Sequence, residues 1–317
     1  MPVRFTTPSL GGRGQRHLEA RHWEFTVAYR RLDADKWFTG TKVNEFDSLP
    51  LLGQPMYVKV NSLDFTAAYG LTRKLSLALT VPFSSGSHSR FYGDSARHSV
   101  SASGLGDINL VASQWLWDPM DHGNGNLALG LGVKAPTGTH DEMGPFWGSP
   151  TVTTAPKDQS VQTSDGGWGV MLETHGFKRL ARGTFGFVSG NYLMSTKESA
   201  GVPFRYGTVV AVADVYSARM GVAYAPWDTR DVSFSVGARV DGMTAGDIIG
   251  GRDDAYRRPG AIYYAEPGLA VSGAIGTFRL SIPIRVYQNL GPDRSAAKLD
   301  GGDLADYLLF ASYTRGF

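Results

Sequence analysis

Residues 304–317 read LADYLLFASYTRGF, and Tyr307, Leu309, Ala311 and Tyr313 fall on one face of an extended chain that stops at Phe317. Side chains of a strand point alternately to opposite faces, so a period of two over this length predicts a strand. The pattern recurs upstream. Trp23, Phe25, Val27 and Tyr29 stand against Glu24, Thr26 and Arg30, and Leu63, Phe65, Ala67 and Tyr69 against Asp64, Thr66 and Ala68. Leu75, Leu77, Leu79, Val81 and Phe83 oppose Ser76, Ala78 and Thr80. The cleanest run sets Leu127, Leu129, Leu131 and Val133 against Ala128, Gly130, Gly132 and Lys134. Val232, Phe234, Val236, Ala238 and Val240 then oppose Ser233, Ser235, Gly237 and Arg239, and Phe278, Leu280, Ile282, Ile284 and Val286 oppose Arg279, Ser281, Pro283 and Arg285. Such runs predict about twelve strands.

The connections alternate in length. Short turns such as 71–73, DPMDHGN, FKRLARG, WDTR and Ala274-Ile275 alternate with long Gly-, Pro- and Asp-rich loops, among them 137–166 and 241–260. With an even number of strands both chain ends lie on the short-turn side. That is the layout of a transmembrane antiparallel up-and-down β-barrel with short periplasmic turns and long extracellular loops. Strands of roughly 10 to 12 residues suit a tilted bilayer crossing and exceed the roughly 5–6 usual in soluble sheets. A soluble sandwich or propeller shares the alternation. The loop asymmetry, and Trp and Tyr near strand ends (Trp23, Tyr29, Tyr69, Trp117, Trp168, Tyr224, Trp227, Tyr263, Tyr313), favour the membrane.

Composition agrees. The 317 residues are 42% hydrophobic, and no apolar run reaches the roughly 18 residues of a transmembrane helix. Alternating barrel strands escape that test. Forty glycines exceed the usual share of about 7% without a collagen period. The absence of cysteine excludes disulfides, thiolate catalysis and Cys-ligated metals. A net charge of +2 gives no reason to expect nucleic acid. MPVRFTTPSLGGRGQ has no apolar signal region, which fits either a cytoplasmic protein or a mature chain whose signal is removed. The strand pattern selects the second, in the bacterial outer membrane. Residues 1–18 are expected to form a tail or inward-folded segment, and 19–317 the barrel.

Two stretches resemble known families. The terminal strand with its final Phe317 and with Tyr313 resembles the C-terminal strand that the outer-membrane barrel assembly machinery reads. GLGDINLVASQWLW followed by NLALGLGVKAPTGTHD resembles outer-membrane transporter barrels of the phenol-degradation meta-pathway type. The matching positions are Gly106, Asp107 and Ile108, then Lys134, Pro136, Thr137 and Gly138. The resemblance covers about a third of the chain and implies a barrel that passes small, hydrophobic or aromatic molecules.

If the apolar faces meet lipid, the other faces line a lumen. They carry Glu24, Arg30, Asp64, Asp107, Lys134, Glu173, His175, Arg219, Arg239, Glu266, Arg279 and Arg285. These residues either form a polar, selective pore or pair into a network that fills the barrel, since an unpaired buried charge is costly. Arg239, Arg279 and Arg285 form an anion-attracting strip or pair with Glu266; pairing is the expectation. A scaffold or sheath barrel holding a protein partner is the main alternative to a channel. A hydrolase is the weaker one, because His140-Asp141 and the Glu173/His175 face lack a nucleophile at an interpretable position. Asp253 and Asp254, or Asp300 and Asp303, lack the ordered spacing of a calcium loop and read as solvated loop charge. The sequence thus predicts a non-enzymatic barrel without metal or cofactor. Its expected partners are outer-membrane lipids, the assembly machinery and a small-molecule solute.

Overall fold

The computed structural model describes residues 17–43, 56–148, 150–204, 207–226, 232–250, 254–297 and 300–317. The tail expected at 1–18 therefore lies almost wholly outside the described residues, as do Trp227 and Asp253.

A closed antiparallel barrel of twelve crossings fills most of the chain. Its wall runs in order through β1 (Trp23–Thr39), β3 (Tyr57–Gly70), β4 (Leu75–Phe91), β5 (Arg97–Leu105) continued by β6 (Ile108–Trp115), and β7 (Gly125–Ala135). It continues through β10 (Gly169–Ala181), β11 (Thr184–Ser195), β14 (Val215–Tyr224), β15 (Val232–Met243) and β16 (Gly260–Gly273). The eleventh crossing is β17 (Gly276–Ser281) with β18 (Ile284–Leu290), and the last is β19 (Gly302–Gly316), which pairs back onto β1. The smaller strands are β2 (Lys42–Val43) at the tip of β1 and two hairpins, β8 (Met143–Trp147) with β9 (Val152–Pro156) and β12 (Ser199–Pro203) with β13 (Val209–Ala211).

Closure is completed at the chain's end, where Trp23 N–H donates to Phe317 O at 3.1 Å and Phe317 N–H to Trp23 O at 2.8 Å. The first and last crossings thus pair along their length, and a closed wall is the condition for a sheet to sit in hydrocarbon. The turns at this end are short. Gly183 (φ 71°) makes the tight β10–β11 turn, where a Cβ would lie 2.6 Å from Ala225 O. The β3–β4 turn is held by Thr72, whose Oγ accepts the N–H groups of Lys74 and Leu75 at 3.2 and 3.0 Å.

Polarity is inverted relative to a water-soluble sheet. Leu131 and Val236 are 61% and 63% exposed on the outside, while Arg239 on the inside is 2% exposed. A monomer in water rarely presents a continuous apolar band of this kind, so the outer face requires lipid. Trp23, Trp117, Trp168, Tyr224 and Tyr313 are exposed on the outer surface near strand ends. On the inner wall, Gly221 and Gly237 pair across β14 and β15. A Cβ on Gly221 would lie 2.6 Å from the Phe187 ring, so glycine here lets an aromatic ring lie against the wall.

Several elements differ from the sequence reading. The serine-rich SSGSHSRFYGDS has the composition of a loop but is mostly strand, because β4 runs to Phe91 and pairs with β5 beyond the apolar band. Outside lipid the outer face need not be apolar, so small polar residues alternate there instead. Val209–Ala211 does not run on into Val215–Tyr224 as one long strand; β13 belongs to a separate hairpin and the crossing begins at Val215. TFRLSIPIRVYQ breaks at Ile282-Pro283, and the register slips at Val286, so Gln288 rather than Tyr287 faces inward.

That break leaves a seam. Among the described residues β18 and β19 share a single register pair, Ile284↔Tyr307. Leu308 N–H also donates to Pro283 O at 2.9 Å, and side chains add further bridges. Arg285 donates to Ala305 O (3.1 Å), Gln288 Oε1 (2.6 Å) and Asp306 Oδ1 (2.5 Å), lies 4.2 Å from the Phe38 ring centre, and shares Asp306 with Lys36.

Candidate functional site: the barrel lumen

Two neighbouring strands of the wall, β1 and β3, change sign along their length. In β1 the outward side chains are Trp23, Phe25, Val27 and Tyr29, followed by Arg31, Asp33 and Asp35; the inward ones are Glu24, Thr26, Ala28 and Arg30, followed by Leu32 and Ala34. In β3, Leu63 and Phe65 face out beside lipid and Lys59 faces out above it, while Val58 and Val60 face in above Ser62 and Asp64. The strands thus continue past the apolar band on the long-loop side, and there the barrel has an ordinary soluble polarity.

The inward apolar residues form two clusters. Ala34, Val58, Tyr264, Ala305 and Leu308 pack with Leu32, Val60, Ile262 and Phe310. Across the lumen Val111, Met171 and Leu193 pack with Val215. Members of both line a cavity of about 180 Å³, together with Arg30, Asp64, Asp107, Lys134, Asp165, Asp241, Arg258 and Asp303. A dry apolar cavity of about 150 Å³ is large enough for benzene, so this volume holds one small ring.

The sequence-predicted residues divide between the cavity and the lumen on the short-turn side. Arg30 and Asp64 line the cavity and interact electrostatically, and Ser62 Oγ donates to Asp64 at 3.0 Å. Lys134 joins Asp107 (3.0 Å) and Asp165 (2.5 Å). The family-like motif is a physical knot: Thr137 Oγ donates to Gly106 O (2.7 Å) and accepts Ile108 N–H (3.0 Å), while Asp107 Oδ1 accepts Gly138 N–H (3.2 Å). It replaces ladder bonds where β5 gives way to β6.

At the cavity's edge Arg239 pairs with Asp241 at 2.9 Å, and beyond it Arg219 pairs with Glu266 at 3.2 Å, all four buried. Arg219 lies 5.1 Å from the Phe187 ring centre and Arg239 4.8 Å from that of Phe310. Glu173 and His175 face inward on β10, His175 edge-on to Trp115 at 4.9 Å. Glu24 interacts with Arg279, which donates to Thr314 Oγ at 3.4 Å. The three arginines do not form one strip. Arg239 takes Asp241, Arg279 faces Glu24, and Arg285 sits in the seam with Asp306. Glu266, expected between them, binds Arg219 instead. Tyr313 and Phe317 lie at the short-turn rim, with Phe317 edge-on to Phe25 at 5.8 Å.

Sequence reasoning missed the apolar chamber and the carboxylates Asp165, Asp241 and Asp306. The signal for the chamber was present in the sign change within YVKVNSLDF, where Val58 and Val60 take the parity of Asp64. Near the long-loop rim, Asp158 sits half-buried in the loop before β10. Burial pushes its carboxyl up, but His88, Arg258 and the Ser160 N–H outweigh burial and hold it below the usual carboxylate range. Among the described residues no group of three or more metal-ligating side chains gathers, and no helix is long and apolar enough to cross a membrane.

No protein-family profile matches this chain, and no curated protein matches it. Among solved structures, the crystal structure of an outer-membrane channel from Pseudomonas putida F1 aligns with a TM-score of 0.59 at 16% identity, over 95% of this chain and 97% of that one. Looser likenesses include a FadL homologue from Pseudomonas aeruginosa (TM-score 0.44, 10% identity, 94% and 89% covered). The toluene transporter TodX of P. putida is similar at a TM-score of 0.45 and 11% identity, over 94% and 90%. The architecture shared with the first of these is the twelve-crossing barrel of bacterial outer-membrane proteins.

Proposed function

We propose that the protein is a bacterial outer-membrane channel for small hydrophobic molecules, which pause in the apolar chamber on their way through. One observation carries this: two apolar clusters face each other across the inner wall of a lipid-embedded barrel and line a ring-sized cavity, on β1 and β3 at the height where the outer face has already turned polar. Burying apolar surface inside a water-facing rim has no structural need at that height, and it provides a hydrophobic solute with about 25 cal/mol per Å² transferred from water. The ion pairs Arg219–Glu266 and Arg239–Asp241 are the constriction beneath it, and with Glu24, Glu173 and Arg279 they govern which ions and water can accompany the solute. The long loops face outward and the short turns face the periplasm. The motif knot supports placing the chain with the phenol-degradation meta-pathway type. The exposed Phe317 and Tyr313 at the closing strand supply the recognition feature for barrel assembly.

The test is toluene binding to the protein in nanodiscs. Saturable binding should be lost in Val60→Trp, which fills the chamber, and in Leu308→Arg, which charges it. No binding by the wild type, or equal binding by both variants, overturns the reading.

A further inference from the structure

A segment of the long loop before β10 does not lie over the surface. Residues 158–166 run inside the barrel, where Val161, Gln162, Thr163 and Ser164 are at most 3% exposed and all but Ser164 line the cavity. Loop backbone can be buried only where its polar groups find partners. Here they do. Gln162 Nε2 donates to Glu142 O (3.1 Å) and Lys157 O (3.2 Å), and its Oε1 accepts Glu142 N–H (3.2 Å). Ser164 N–H donates to Thr139 O at 2.9 Å, and Thr163 Oγ accepts Thr139 N–H at 2.9 Å.

The wall is shaped to receive this segment. A glycine within a strand often marks a place where another backbone comes close. A Cβ on Gly86, within β4, would lie 2.9 Å from Val161 Cα. One on Gly106 would lie 3.3 Å from Thr163 O, and one on Gly138 would lie 3.0 Å from both Thr163 Oγ and Ser164 Cβ. Lys134 then joins Asp165 of the segment to Asp107 of the wall. Four positions of the sequence motif, Gly106, Asp107, Lys134 and Gly138, thus converge on one stretch of loop, and Thr137 fixes the backbone of Gly106 among them. We infer that residues 158–166 are a strap that sets the largest solute the chamber admits, and that the motif is its seat. The strap occupies lumen beside β4 and β7 that would otherwise be open, so the cavity is the space it leaves. The inference rests on the proposed channel function and says what sets its size limit.

Binding of toluene and of the two-ring 1-methylnaphthalene to the protein in nanodiscs tests it. The wild type should bind toluene at least about tenfold more tightly, because the larger ring overfills the chamber. Replacing the strap's side chains in the combined variant Val161→Gly, Gln162→Gly, Thr163→Gly should bring that preference below about threefold or reverse it. Asp165→Ala, which releases the strap from Lys134, should shift it in the same direction. The chain has no cysteine, and a Cβ on Gly86 would lie 3.0 Å from that of Val161. Gly86→Cys with Val161→Cys should therefore form a bridge in the folded protein and keep the preference for toluene. No bridge, equal binding of both rings by the wild type, or an unchanged preference in the glycine variant overturns the inference and leaves the channel reading standing. Failure of the wild type to bind toluene overturns the two together.

Discussion

Inside this barrel a side chain's value depends on the partner it meets. Arg239 is fully enclosed, with Asp241 two residues along the same strand as its counter-ion. Removing one member of a buried pair leaves the other charged and unpaired, typically at about 3–5 kcal/mol. Asp241→Asn should therefore lower the unfolding free energy in urea by that order, and the companion change Arg239→Met should restore most of it. A double variant no more stable than Asp241→Asn alone would show that Arg239 is neutralised elsewhere. The inward direction of Arg239, Glu266 or Lys134 follows from parity with the apolar residues beside them. The partners Asp165 of Lys134 and Arg219 of Glu266 do not, because they come from a distant loop and another strand that only the register of the closed sheet brings near.

The elements that departed from simple strands are the ones that carry local chemistry. At Gly106-Asp107 and at Ile282-Pro283 a crossing is interrupted, and in each place side chains take over what the backbone ladder would do. The first was readable as a motif, since Gly, Asp, Lys and Thr at those positions have no reason to sit mid-strand. The second was not, because Pro283 fits an alternating pattern by parity alone and a missing donor shows only when the neighbouring strand is in place. Arg285 is the main bridge of the resulting seam. Arg285→Ala should speed amide hydrogen exchange in Arg285–Leu290 of β18 by roughly tenfold or more, while β16 changes little. Equal protection in both would mean that the bonds of Leu290 N–H to Gly40 O and of Gln288 to Thr41 O hold the seam unaided.

For the whole molecule, closure is the defining property. Thr26 and Thr314 face each other across the β1–β19 pair with their hydroxyl oxygens 2.9 Å apart. The native chain has no cysteine, so Thr26→Cys with Thr314→Cys gives a single possible bridge. Oxidised in the folded state, it should keep the ends of the barrel joined through heating in SDS and leave a faster-migrating band that reductant abolishes. Absence of the bridge would place the two ends apart and the barrel open. Twelve crossings, their alternation of short and long connections and the lipid-facing side were legible in the sequence. The height of the barrel was not, because composition made the serine-rich β4 and β5 extensions look like loop.

The sign change along the strands also fixes how the barrel floats. Above Tyr29 and Leu63 the exterior turns to Arg31, Asp33 and Lys59, so a waterline is written into β1 and β3 at a definite residue of each. With about 3.3 Å of rise per residue, moving one outward charge two positions toward the short turns would draw that line down by roughly 6 Å. The barrel would then ride higher or thin the bilayer around it, and its chamber would travel with it. The depth at which a solute is first sheltered from water is therefore set by a few charged residues on the outside, none of which the solute touches.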